Sequence, residues 1–179
     1  MSFGSTSMGY GQQCRRIYDV KFGWRFRTKR NGFVEIRVAD EERQLIAELI
    51  EQLRELVLST SPEGSVDPSI RRLYPTAYVE DAEREHKYQR LMRDQLLERR
   101  LTHLDVVEST LQDEELSPEA LIAWITSIND LRLVLGTHLD VSEDEEPTFA
   151  DENDPKQQQR AIYDYLSHLL GELVDAANN

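Results

Sequence analysis

Residues 116–139, LSPEALIAWITSINDLRLVLGTHL, have the features of a long helix that other helices surround. Ser117 suits the N-cap, Pro118 the first helical position, and Gly136 the left-handed residue that ends many helices. A helix that is apolar on most sides is normally packed on most sides, so this segment is expected to lie at the centre of the molecule. Its apolar residues recur at three- and four-residue steps, and together they make an apolar surface wider than a single stripe. They are Leu121, Ile122, Trp124, Ile125, Ile128, Leu131, Leu133, Val134 and Leu135.

Three polar residues interrupt this segment. At 100° per residue Arg132 falls inside the apolar stripe, Asn129 at its border and Asp130 on the opposite, polar side. A buried guanidinium without a partner is strongly unfavourable, so Arg132 needs a buried acceptor or must reach solvent. We interpret it as part of a structural polar cluster rather than a ligand site. The expected members are Arg132, Asn129, Arg71, Arg72 and Asp81.

The composition indicates one mainly helical domain. The chain has 179 residues, of which 39% are hydrophobic and 31% charged, with few Gly and Pro. We predict a mainly α fold: a bundle of four main helices with an N-terminal β-hairpin. Residues 1–14 are expected to form a flexible tail, and residues 15–177 a single domain with the hairpin at 15–38 and an acidic loop at 138–157.

The hairpin register follows from matching apolar faces. Phe22, Trp24 and Phe26 alternate along one strand, as Val34, Ile36 and Val38 do along the next. A two-residue Asn-Gly turn would set apolar side chains opposite charged ones. A three-residue loop, 30–32, pairs Phe26 with Ile36 and Trp24 with Val38, and it places Gly32 at the left-handed bulge position. We therefore predict the longer loop.

Basic residues are concentrated in this hairpin. Residues 15–37 contain eight Lys or Arg and two acidic residues, a net +6 in a chain of net charge -13. The overall acidity argues against a simple phosphate-binding protein. Because the aromatic residues lie on the opposite face, where core packing explains them, we favour a solvated basic face or a contact with the chain's own acidic surface. Nucleic acid or a partner protein stays an alternative ligand for Arg25, Arg27, Lys29 and Arg30.

Four further helices follow from capping residues and apolar spacing. Asp40 is expected to cap the first, whose stripe runs from Leu45 to Val57. A short helix opens at Asp67-Pro68 and ends before Pro75. A long helix is predicted at 77–111 with Tyr78, Val79 and Ala82 in its stripe, and the last at 158–176.

Recognisable catalytic and metal-binding patterns are missing from the sequence. Cys14 is the one cysteine, which excludes an intramolecular disulfide and a cysteine-based zinc site. Glu83-x-x-His86 lacks the second such pair that a di-iron site needs. No Ser or Cys stands in a nucleophile motif, no glycine-rich phosphate loop occurs, and the acidic stretch 138–155 lacks the ligand order of a calcium loop. We expect a non-enzymatic protein without cofactor or metal.

No apolar run approaches the roughly 20 residues that span a bilayer, and the first residues lack the apolar core of a secretory leader. We therefore expect a cytoplasmic protein that does not bind membranes.

Two segments resemble a known family. RRLYPTAYVED (71–81) and W-x-x-x-I-N-D-L-R-L-x-L-G-T (124–137), in this order after a hairpin and a helix, are similar to an actinobacterial family catalogued as a domain of unknown function and often encoded beside the ClpS protease adaptor. The resemblance covers about residues 20–175. It implies a mostly helical, non-enzymatic, cytoplasmic protein linked to transcriptional control of the oxidative-stress response.

The family resemblance implies partners in the transcription machinery, with an adaptor role in Clp-dependent proteolysis as the alternative. It also implies a redox-sensing cysteine pair, whereas Cys14 is alone here. Cys14 could still sense through an intermolecular or mixed disulfide or a sulfenic acid, and Arg15 and Arg16 would favour its thiolate. The alternative is an incidental exposed cysteine. If the protein self-associates, we expect a symmetric homodimer.

Overall fold

The structure is a computed structural model that describes residues 24–59, 68–139 and 155–179. Cys14 and its arginines, the predicted tail at 1–14, Phe22 and the acidic stretch 140–154 lie outside the described residues. The prediction of a mainly α fold with four main helices and an N-terminal hairpin is confirmed. In chain order the elements are β1 (Phe26–Thr28), β2 (Val34–Ile36), α1 (Asp40–Leu58), a 3₁₀ helix (Pro68–Leu73), α2 (Ala82–Thr110), β3 (Glu115–Leu116), α3 (Pro118–His138) and α4 (Pro155–Ala177).

Helix α3 lies at the centre of the described residues, as its pattern predicts. Trp124 and Ile128 are fully buried, and α2, α4 and the 3₁₀ helix pack around them. Ser117 caps the helix, its Oγ accepting a hydrogen bond from the Ala120 amide at 3.2 Å. The Trp124 indole is fixed at both ends: Nε1 donates to Thr110 Oγ1 at 2.9 Å, and Phe26 meets its ring edge to face.

Gly136 does not end α3, contrary to the prediction. The helix continues to His138, and its C-cap Leu139 has right-handed backbone angles. Gly136 is buried, and a Cβ added there would lie 3.2 Å from Cε2 of Tyr163 on α4. The residue is therefore placed where two helices approach closely, a use of glycine that does not depend on positive φ.

The predicted hairpin register is confirmed where the strands are described. Phe26 pairs with Ile36, and Gly32 has a φ of 81°. A third strand, β3, which was not predicted, pairs antiparallel with β2 and sets Leu116 opposite Val34. Two residues are too few to show a period in sequence.

Trp24 does not join the apolar face of the hairpin. It is 44% exposed, because regular pairing begins at Phe26 and leaves the indole beyond the end of β1. The guanidinium groups of Arg27 and Arg37 lie over its ring instead.

Helix α2 starts later than predicted, at Ala82. Asp81 is the N-cap and accepts a hydrogen bond from the Arg84 amide at 3.0 Å. Glu85 accepts from the amides of Ala77 and Tyr78, which holds that segment outside the helix. Val79 is consequently 87% exposed rather than part of the stripe, and Tyr78 is exposed as well.

The other helix boundaries differ by one to three residues. Ala39, not Asp40, is the N-cap of α1, and the Glu42 carboxylate accepts from its amide at 3.1 Å. Helix α4 begins at Pro155, three residues before the predicted start. These differences are of the size expected at helix ends.

Candidate partner-binding surface

A largely buried ion pair that was not predicted joins α2 to α3. Asp130, expected on the polar side of α3, is only 7% exposed, and its Oδ2 lies 3.0 Å from Nε of Arg100 on α2. Arg100 also donates to the carbonyl oxygen of Leu73 and lies over the Tyr74 ring. Burial raises the pKa of the Asp130 carboxyl, and the Arg100 charge opposes that shift. This cluster joins α2, α3 and the 3₁₀ helix.

Arg132 is half-buried and has a neutral acceptor. Its Nε donates to Ser167 Oγ at 3.0 Å, and its guanidinium lies 5.4 Å from the centre of the Tyr163 ring. Arg132 therefore has partners, as expected: the Ser167 hydroxyl and the face of the Tyr163 ring, both on α4.

The five residues of the predicted polar cluster do not form one hydrogen-bonded network in the described part of the chain. Arg71 and Arg72 are exposed on the 3₁₀ helix, Asp81 caps α2, and Asn129 is half-buried on α3. Within the described ranges, no hydrogen bond or ion pair connects any two of these five residues, Arg132 included. Arg100, the partner of Asp130, was not among the predicted residues. Its position four residues before Leu104 and seven before Val107 places it on the buried face of α2, and this spacing was the signal that could have identified it.

Arg25 does not belong to the solvated face of the hairpin. Its Nε lies 2.8 Å from Glu42 Oε1 on α1, and its Nη1 lies 2.7 Å from Glu172 Oε1 on α4. The Arg25 amide also donates to the Glu172 carboxylate. The alternative that the basic residues contact the chain's own acidic surface is therefore correct for Arg25, which attaches the hairpin to two helices.

The other three predicted surface residues differ in their pairing. Lys29 forms an ion pair with Glu115 beside β3. Arg27 and Arg30 are exposed, and in the described part of the chain neither forms an ion pair.

An aromatic and basic patch remains on the outside of the hairpin. We call this patch the hairpin surface; it consists of Trp24, Arg27, Arg30, Phe33 and Arg37. The guanidinium carbons of Arg27 and Arg37 lie 5.0 and 4.3 Å from the centre of the Trp24 ring. Phe33, beside the turn, is 38% exposed, and Arg37 is paired with Glu35 at 2.9 Å. The charge of this patch is evident from the sequence, whereas the exposure of Trp24 is not.

The chemistry available at the hairpin surface is recognition by stacking, hydrogen bonding and charge. Guanidinium groups held against an aromatic ring present donors and a flat apolar area together. Across the described residues there is no group of three or more His, Cys, Asp or Glu placed to hold a metal ion. None of the helices in the described ranges combines the length and apolar character needed to cross a bilayer.

Comparison with curated proteins and with solved structures finds no match. A family model matches residues 23–177, which is most of the chain and includes every described helix and strand. The protein belongs to the family described as a domain of unknown function, DUF2017.

Proposed function

We propose that this protein is a non-enzymatic regulator that works through protein–protein contacts, with the hairpin surface as its partner-binding face. The observation that carries the proposal is the exposed Trp24 with two guanidinium groups over its ring. Tryptophan and arginine are the residues that most often dominate the binding energy of protein interfaces.

The charge of the hairpin surface favours an acidic partner. Arg27 and Arg30 are exposed and lack an ion pair within the described ranges, so their donors are open to carboxylates of another protein. The rest of the chain is strongly acidic, since residues outside 15–37 carry a net charge of -19. A partner's acidic patch is therefore attracted to the hairpin and repelled elsewhere, which orients the encounter.

The resemblance to the actinobacterial family supports a more specific role. We propose a cytoplasmic regulator of oxidative-stress transcription whose partner belongs to the transcription machinery. The alternative is an accessory factor in ClpS- and Clp-dependent proteolysis, which rests on the gene neighbourhood of that family.

Affinity capture followed by mass spectrometry tests this proposal. The test variant is Trp24→Ala/Arg27→Ala/Arg30→Ala. The matched control changes an exposed apolar residue and two exposed arginines elsewhere: Ile122→Ala/Arg90→Ala/Arg99→Ala. Wild type and control are expected to capture RNA polymerase components, and the hairpin variant to lose them.

Other results of these experiments would support a different function or contradict the assigned surface. Capture of Clp components in place of polymerase supports the proteolytic alternative. Equal capture by the hairpin variant contradicts the assignment of the surface. A DNA mobility shift that the hairpin variant loses, and that weakens steeply with salt, would show direct nucleic-acid binding instead.

A further inference from the structure

The first half of α2 contributes little to the core. Every residue of α2 is described, and its two buried residues, Leu104 and Val107, lie in the last third of the helix. Leu91 is 65% exposed. At 100° per residue, Leu91 lies on the opposite side of the helix from Arg100, whose side chain faces α3. The described elements therefore leave Leu91 uncovered on the outer side of α2.

Leu91 belongs to an apolar area that is already fixed in place. Tyr88 lies one turn before it, and the Tyr78 ring, 44% exposed, meets the Tyr88 ring edge to face at a centroid distance of 6.0 Å. The Glu85 carboxylate accepts hydrogen bonds from the amides of Ala77 and Tyr78, which hold Tyr78 against α2. A surface ordered in this way loses little conformational entropy when another molecule covers it.

The charged residues on this side of α2 change sign at Leu91. Arg84 and Lys87, seven and four residues before Leu91, are basic, whereas Asp94 and Glu98, three and seven residues after it, are acidic. Steps of three, four and seven residues keep all five side chains on one side of a helix. All five residues are exposed. We call Arg84, Lys87, Leu91, Asp94 and Glu98 the outer face of α2.

We propose that the outer face of α2 pairs antiparallel with the same face of a second copy of this chain. A two-fold axis at Leu91 brings the two Leu91 side chains together. It also sets Arg84 opposite Glu98 of the second copy, because each lies seven residues, or about 10 Å, from the axis. Lys87 comes opposite Asp94 in the same way. Each copy uses the same face, so the assembly closes as a dimer.

The charges select both the site and the direction of this pairing. A parallel arrangement would set Arg84 against Arg84 and Glu98 against Glu98, and like charges at such positions repel. The chain has a net charge of -13, so two copies repel one another over most of their surface. The outer face of α2 has two basic and two acidic residues. Two copies therefore meet there without that net repulsion.

Contacts within the chain compete weakly with this pairing. Nε of Arg84 lies 3.2 Å from Oδ2 of Asp81, with 74% and 46% of the two side chains exposed. An exposed ion pair of this kind contributes little to stability. Among the described residues, Lys87, Asp94 and Glu98 form no ion pair. The outer face of α2 is on a different element from the hairpin surface, so self-association leaves the proposed partner-binding residues accessible.

Sedimentation velocity of the full chain over a range of concentrations tests the dimer. A reducing agent is present so that a Cys14 disulfide does not contribute. Wild type is expected to show a concentration-dependent equilibrium between the 20.8 kDa chain and a species of twice that mass. Leu91→Glu sets two carboxylates against each other at the axis and should leave only the monomer. A wild-type protein that is monomeric at every concentration would overturn the proposal.

Charge reversal tests the antiparallel register. Arg84→Glu and Glu98→Arg each place like charges at both ends of the interface, and each is expected to weaken self-association about tenfold. An equimolar mixture of these two variants should recover a heterodimer, because every contact between positions 84 and 98 then joins opposite charges. Unchanged self-association of the single variants, or a mixture that stays monomeric, would overturn the proposal.

Arg30→Glu is the matched control for Arg84→Glu. It makes the same change of charge at an exposed position of the hairpin, and it should associate as wild type does. Loss of the dimer in Arg30→Glu would place self-association on the hairpin surface and would contradict the assignment to α2. The positions changed are all exposed, and circular dichroism melting curves check that each variant is folded.

Discussion

Arg100 Nε and Asp130 Oδ2 lie 3.0 Å apart in the interior, linking the long helix α2 to the central helix α3. Arg100 continues to the Leu73 carbonyl and covers the Tyr74 ring, so the 3₁₀ helix is held by the same side chain. Burial raises the pKa of the Tyr74 phenol, while the nearby Arg100 and Arg93 charges lower it. One ion pair thus positions three elements.

Removing Arg100 should be costly because it leaves the Asp130 carboxylate in the interior without its cation. We expect Arg100→Met to lower the free energy of unfolding by about 3 kcal/mol in urea denaturation. Arg99→Met, at the exposed neighbouring position, should change it by less than about 0.5 kcal/mol. Equal effects of the two variants would show that the pair does not contribute to stability.

Asp130 should make stability depend on pH. Burial raises the pKa of its carboxyl in the folded protein, so the fold favours the protonated form. The resulting stabilisation is fully present below the pKa of an unfolded aspartic acid and is lost as pH rises through the higher folded pKa. Asp130→Asn cannot titrate and should lack this loss. Unfolding curves of wild type and variant across that window check the difference, and parallel pH profiles would contradict it.

Gly136 and Gly171 give a matched pair of substitutions in helices. Gly171 is exposed, and nothing lies within 4 Å of an added Cβ, so Gly171→Ala should stabilise the protein by about 1 kcal/mol through helix propensity. Gly136→Ala gains the same propensity but pushes against the Tyr163 ring at 3.2 Å. We expect it to be less stable than Gly171→Ala by about 1–2 kcal/mol in thermal or urea unfolding. Equal stabilisation at both positions would show that α4 moves away without cost.

Arg25 should determine how firmly the hairpin is attached. Its removal leaves Glu42, whose side chain is only 3% exposed, without a cation, and we expect Arg25→Ala to cost about 3 kcal/mol. Arg30→Ala, on the exposed part of the hairpin, should cost less than about 0.5 kcal/mol.

Hydrogen exchange gives a second measurement of the Arg25 variant. The Arg37 amide bonds to the Arg25 carbonyl at 2.7 Å, so its exchange should accelerate when the hairpin loosens. Unchanged protection at Arg37 would place the attachment of the hairpin in its apolar contacts, such as that of Phe26 with Trp124.

Features that depend on neighbouring residues along the chain could be predicted. The start and burial of α3 follow from Ser117, Pro118 and the apolar spacing around Trp124 and Ile128. The hairpin register follows from requiring Phe26 to face Ile36, with Gly32 in the left-handed position. In each case one local pattern excludes the alternatives, because a shift of a single residue would turn apolar side chains into solvent.

The polar contacts could not be predicted in the same way. Arg100 and Asp130 are 30 residues apart in the chain. Helical periodicity places Asp130 on the polar side of α3, but α2 packs against that side and buries the carboxylate. Trp24 and Arg25 could not be placed from the sequence for a similar reason. Alternation assigns each residue to a face of the hairpin, but it does not show that strand pairing begins only at Phe26 or that α4 lies beside Arg25.

The sequence alone determined the fold class, the central helix, the hairpin register and the basic character of the hairpin, all of which depend on the order of residues within a segment. Only the tertiary structure decided which charges are buried as pairs, why residue 136 is a glycine, and that the Arg132 guanidinium lies over the Tyr163 ring. The physical reason is that the energy of a charge depends on the burial and partners supplied by other segments, whereas apolar periodicity already records which face a segment must bury.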